Sequence, residues 1–124
     1  MDLDFNEEFV VRVFREFDFL RELGYDAISV SIHGRDPYVT FESKRAKRKI
    51  SISWEGGLLI IVERTDRIFV KNKERIFTLH QYYDLFKAKK PYQENDIGWN
   101  AEFLKSSLGQ LINGKEWVDD LLKH

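Results

Sequence analysis

The chain has no cysteine. Disulfides, thiolate metal sites and cysteine nucleophiles are therefore excluded, and a cytoplasmic, reducing location is the expectation this composition suits. Proline appears twice and methionine once in 124 residues. No apolar run approaches the roughly 20 residues that span a bilayer, so no membrane partner is expected. The first residues are acidic and lack the basic region that opens a secretory signal. No repeat, low-complexity tract or linker breaks the chain, so a single domain over residues 1–124 is expected, long enough to bury roughly two-thirds of its unfolded surface. Surplus charge is also missing, with a net of −1, but the balance is local: residues 1–26 hold eight acidic and three basic side chains, and residues 27–77 hold eleven basic and six acidic. Such halves either compensate each other within one fold or present separate patches to a charged partner.

Motifs for chemistry are missing as well. His33, His80 and His124 form no His-x-x-x-His or His-Glu-x-x-His pair. Asp119-Asp120 and Glu7-Glu8 are adjacent acids, and neighbours on a helix do not face each other. Gly56-Gly57 is not followed by the Gly-Lys-Ser/Thr of a phosphate loop, and Ser106-Ser107 has no nucleophile-elbow setting. No catalytic residue, metal or cofactor is predicted, and the expectation is a protein that is not an enzyme.

What the chain does have is alternation. Ile28, Val30 and Ile32 alternate with Ser29, Ser31 and His33; Val39 and Phe41 with Tyr38, Thr40 and Glu42; Ile50, Ile52 and Trp54 with Ser51 and Ser53. Period-2 patterning sends successive side chains to opposite faces, one apolar and one rich in hydroxyls. The turns Gly34-Arg35-Asp36-Pro37 and Glu55-Gly56-Gly57, with a basic loop between them, are too short for parallel crossovers and require antiparallel neighbours. Leu58 to Val62 is apolar on both faces and is expected where both are covered. A weaker fifth run, Ile68 to Val70, suits an edge.

Helical spacing brackets this meander. Phe9, Val10, Val13, Phe14, Phe17 and Leu20 make one stripe, with Asp4 and Glu7 at capping-box spacing and Gly24 as a stop, predicting a helix from about Asn6 to Leu23. Phe19 falls off the stripe, as a contact with another element or as an exposed anchor. Thr78 and Gln81 repeat the capping-box spacing ahead of Leu79, Tyr82, Tyr83, Leu85 and Phe86, a helix limited by Pro91 with Lys87, Lys89 and Lys90 in its last turn. Asn100 is a candidate cap for a final segment with Phe103, Leu104, Leu108 and Leu111 in phase. Val118, Leu121 and Leu122 continue that phase beyond a break at Asn113-Gly114.

The expected fold is α+β: a four- or five-stranded antiparallel meander with an N-terminal helix and two or three C-terminal helices packed on one face. The expected core is Phe9, Val13, Phe14, Phe17, Leu20, Ile28, Val30, Ile32, Val39, Phe41, Ile50, Ile52, Ile60, Leu104, Leu108 and Leu111.

With this layout in hand, the chain resembles the small immunity proteins of bacterial polymorphic-toxin and contact-dependent inhibition systems. The likeness runs through Val39-Thr40-Phe41-Glu42-Ser43, Ile50-Ser51-Ile52-Ser53-Trp54, Leu79-His80-Gln81-Tyr82-Tyr83 and Gly114-Lys115-Glu116-Trp117-Val118. It implies a cytoplasmic protein that binds and neutralises a cognate toxin without a cofactor. From the residues themselves, the segment Pro91 to Asn100 is the candidate partner-binding loop, because Tyr92 and Trp99 flank Glu94 and Asp96, with Phe19 and Glu22 as an extension. Its alternative is that Tyr92 and Trp99 fold back as core lids. Two other classes compete. Lys44, Arg45, Lys47, Arg48 and Lys49 form a loop that suits either phosphate contacts of a nucleic-acid accessory protein or a solvated hairpin tip. The open hydroxyl face suits a small ligand if it is concave.

Overall fold

The computed structural model describes residues 2–66, 76–81 and 93–117. Helices α1 (Asp2–Glu16) and α2 (Phe19–Glu22) precede strands β1 (Asp26–Ser31), β2 (Tyr38–Ser43), β3 (Arg48–Trp54), β4 (Leu58–Arg64) and β5 (Ile76–Thr78), and helices α3 (Ile97–Ser107) and α4 (Gly109–Ile112) follow. The strands form one antiparallel sheet in sequence order, β1-β2-β3-β4-β5. This is the α+β layout that the alternation predicts. The fifth strand is Ile76–Thr78, which runs straight into the Thr78 capping box; Ile68 to Val70 lies outside the described residues. That box is closed on both sides, since Gln81 Oε1 accepts from Thr78 N at 3.2 Å and Thr78 Oγ1 accepts from Gln81 N at 3.3 Å.

Register places the apolar residues on one face. Val39 opposes Ile52, which opposes Ile60, and Phe41 opposes Ile50, which opposes Val62, which opposes Phe77. All of these are buried with Phe9, Val10, Val13 and Phe17 of α1 and Ile97, Ala101 and Leu104 of α3. The opposite face carries Ser29, Thr40 and Ser51 in one cross-strand row. Leu59 and Ile61 also point there and are half-buried, so β4 is fully covered on its helix side only.

Four expected core positions are not in the core. Ile28 and Val30 are 49% and 44% exposed, Phe14 is 38% exposed, and Ile32 is half-buried. The cause is coverage and register. α1 lies over β2, which leaves β1 at the edge beyond the helix, and a bulge between Ala27 and Ser29 takes Ile28 out of the pairing. Phe14 meets Phe41 with the ring centres 5.8 Å apart and the planes at 76°.

The first helix is also two pieces rather than one. After Phe17 the ladder tightens to three-residue bonds, from Leu20 N to Phe17 O at 3.0 Å and from Arg21 N to Asp18 O at 3.0 Å, and Gly24 then turns the chain at φ 91. α1 begins at Asp2, so Asp4 lies inside it and is not its cap.

The C-terminal half is tied to the sheet by polar groups from the hairpin end. Arg48 is 2% exposed and donates to carbonyls of Leu111 and Glu116, while the buried Tyr25 hydroxyl donates to Ile112 O. The last carbonyls of a helix have no partner within it, and here α4 receives a phenol and a guanidinium. Burial pushes the Tyr25 phenol above its usual range, and the positive Arg48 opposes this only in part. Above about pH 10 the unfolded chain gives up this proton first, so stability falls with rising pH. Tyr25→Phe should be less stable by about 1 kcal/mol at pH 8, and the gap should narrow by pH 11. Urea unfolding at the two pH values checks this; a constant gap would refute it.

Candidate functional site

Asp96, and not Asn100, caps α3. Its Oδ1 accepts from Trp99 N at 2.8 Å, so the helix starts one turn earlier than the sequence suggests, and one oxygen of this exposed carboxylate is committed to the cap. Asn100 is a buried helical residue. Its Nδ2 donates to the carbonyls of Gln93 at 2.9 Å, Asp96 at 2.8 Å and Glu94 at 3.4 Å. Asn95 Oδ1 accepts from Leu58 N at 3.0 Å. The turn before α3 is therefore stapled on one side to its own helix and on the other to the β3–β4 hairpin. Asn95 and Asn100 carry this rigidity, and neither has a pattern around it that sequence reading could seize on.

Helix α3 lies beside α1 and α2. Between them runs a groove of about 270 Å³ lined by Arg15, Glu16, Phe19, Gly98, Ala101, Glu102 and Lys105. Phe19 is half-buried, stacks on Phe17 at 6.0 Å and has Lys105 Nζ 5.9 Å from its ring centre. Gly98 closes one end of the groove: a Cβ there would lie 3.4 Å from Asp96 Oδ1 and 3.6 Å from Glu16 Oε2. The fold thus brings Phe19 and Gly98 to one groove, although 79 positions separate them, and Asp96 is not among the residues that line it. Glu22 is exposed one turn beyond Phe19, and Glu94 is exposed in the stapled turn.

Trp99 is placed differently. It is half-buried, packs against the core and stacks on Phe103 at 5.2 Å with the planes 12° apart. On a helix of 3.6 residues per turn, Trp99 and Phe103 leave α3 nearly opposite Ala101 and Lys105, with Gly98 and Glu102 between the two sets. Trp99 is not among the residues that line the Phe19 groove. Tyr92 lies outside the described residues.

The basic loop is not one patch. Arg48 is buried beneath the C-terminal segment, with its guanidinium 4.9 Å from the centre of the Trp117 ring. Lys49 is half-buried on the hydroxyl face, between Glu42 and Glu63 on the neighbouring strands. Lys44, Arg45 and Lys47 remain exposed, and Arg45 reaches Leu23 O at 3.4 Å. Among the described residues, no three His, Asp or Glu side chains converge as a metal-binding set, and no helix is long and apolar enough to cross a membrane. No protein-family model, curated protein or solved structure matches the chain.

Proposed function

We propose that this protein acts by binding another protein and, following the resemblance of its layout, that it is an immunity protein that neutralises a cognate toxin. The observation that supports this best is the Phe19 groove. An aromatic ring stands in it among charges of both signs, Arg15 and Lys105 against Glu16 and Glu102, with Ala101 as the small apolar neighbour. Interface anchors have this make-up: a large ring gives contact area for little entropy loss, and charges around it set orientation. Glu22, Glu94 and Asp96 are exposed. They belong to a surface that suits a basic partner, as does the surplus of acids in residues 1–26. Trp99 remains in the proposal as a second contact, and Tyr92 stays with it as a candidate from the sequence. The nucleic-acid alternative loses support, because Arg48 is spent on carbonyls inside the fold.

The test uses two exposed acids that carry no fold contact in this account. Glu22→Lys with Glu102→Lys should slow association with the cognate toxin by about tenfold at low salt. The melting temperature should stay that of the parent. An unchanged association rate for the double variant would refute the groove as the binding site.

A further inference from the structure

Asn113 is the one asparagine of the chain that a glycine follows. It ends α4 and is half-buried, and Gly114 beside it is exposed. Such a pair carries its own chemistry. The main-chain nitrogen of Gly114 can attack Asn113 Cγ, because no side chain at position 114 crowds it. An N–Cγ bond forms, the Cγ–Nδ2 bond breaks, and ammonia leaves with the proton of the Gly114 amide. Water then opens the five-membered imide, giving its hydroxyl to a carbonyl carbon and its other proton to the nitrogen. Opening at the N–Cγ bond yields aspartate. Opening at the bond from Gly114 N to the Asn113 carbonyl carbon yields isoaspartate, whose main chain runs through Cβ and Cγ. Water is the only co-reactant.

The fold treats the two reacting groups differently. The electrophile is polarised: Asn113 Oδ1, the oxygen on which negative charge develops, accepts from Lys115 N at 3.0 Å. Lys115 N shares that proton with Gln110 O at 3.1 Å. The nucleophile is held away. Asn113 has φ −89 and ψ 0, which places Gly114 N about a third of a turn from Cβ, whereas ring closure needs the two eclipsed. Gly114 N also donates to Leu111 O, at a long 3.3 Å.

This backbone setting is maintained by the closure of the C-terminal segment on the sheet. Leu111 O accepts from Arg48 Nε at 2.9 Å, and Ile112 O accepts from the Tyr25 hydroxyl. On the other side of Asn113, Gly114 lies against the β2–β3 loop, where a Cβ would stand 2.5 Å from Ala46 O. We propose that Asn113-Gly114 is a self-modification site gated by this closure. It stays intact while residues 111–116 are seated, and it converts to aspartate or isoaspartate when they open locally. Isoaspartate adds one atom to the main chain and displaces Gly114 from its place against Ala46, so the closed form does not return. Aspartate keeps the chain length, and its carboxylate still accepts from Lys115 N. The site thereby records opening in one direction. The inference does not depend on the protein-binding reading.

The test uses the full chain, incubated at mildly alkaline pH with and without urea and read by mass spectrometry of the fragment that holds Asn113. In urea, Asn113 should convert ahead of the other asparagines, and Gly114→Ala should slow it at least tenfold. Without urea, conversion should be at least tenfold slower than with it. Tyr25→Phe removes one bond of the closure and should speed the native reaction about fivefold. Gly56→Ala, in the turn between β3 and β4, should leave it unchanged. The isolated isoaspartate product should melt below the parent, and Asn113→Asp should melt near it. No conversion in urea, or equal rates with and without urea, would overturn the proposal. Equal acceleration by Tyr25→Phe and Gly56→Ala would overturn it too, since conversion would then follow global unfolding. An isoaspartate product that melts like the parent would refute the one-way step.

Discussion

Arg48→Ala is expected to destabilise the protein by about 3–5 kcal/mol, because four carbonyls would lose a charged donor at once and a hydrogen bond to a charged group contributes about 1.5–3 kcal/mol. Arg48 Nε donates to Leu111 O at 2.9 Å, Nη2 to Glu116 O at 3.0 Å, and Nη1 to Lys47 O at 3.1 Å and Ala46 O at 3.3 Å. Those acceptors belong to two parts of the chain, the β2–β3 loop and the segment from α4 to Glu116. The guanidinium is the fork that joins them, and the indole of Trp117 covers it. Arg48→Lys should recover only a minor part, since an ammonium presents its donors from one point and cannot span the same acceptors. The fall in melting temperature should be on the order of 10 °C or more for alanine. If thermal unfolding places Arg48→Ala within about 1 kcal/mol of the parent, the contacts drawn here do not hold the C-terminal half in place.

Gly114→Ala is expected to cost at least about 3 kcal/mol, from two causes that add. Gly114 sits at φ 86, where a side chain is strained, and its Cβ would stand 2.5 Å from Ala46 O and 2.8 Å from Ala46 Cα. Those are backbone atoms of the β2–β3 loop, so relief requires moving one chain segment off the other. Two other glycines separate the causes. Gly56 has φ 73 and nothing within 4 Å of a Cβ, so Gly56→Ala should show the conformational part alone, about 1 kcal/mol. Gly109 has no positive φ and open space, and it starts α4, so Gly109→Ala should be neutral or stabilise by up to about 1 kcal/mol. Denaturant melts of the three variants should fall in that order. Equal losses at Gly114 and Gly56 would show that the contact with Ala46 is not close.

These two residues also show where sequence reading stops. The strands, the antiparallel pairing and the Thr78 capping box were legible because each is a local pattern: alternation, short turns, a hydroxyl three residues before a carboxamide. Gly114 was legible as a break, but the additional interruption at Leu108, between α3 and α4, was not, since Leu104, Leu108 and Leu111 keep one apolar phase across it. Arg48 looked like one cation of a basic tip. Nothing adjacent to it announces that its partners are carbonyls more than 60 positions away. Coverage was the other blind spot. Alternation gives the face on which Val30 stands, but not that the helix stops short of the edge strand. Of the candidate site, Phe19 and Asp96 could be named one by one. The groove in which Phe19 stands depends on how α3 docks, which no local pattern encodes.

The central claim is that this protein works by binding a protein. The most direct measurement is a calorimetric titration of the purified chain into the purified C-terminal domain of the toxin-like protein encoded by the neighbouring reading frame, with that domain's toxic activity assayed alongside. The account predicts a one-to-one complex with a Kd on the order of nanomolar or tighter and loss of the toxic activity on complex formation. No heat of binding, with the toxic activity unchanged, would contradict it.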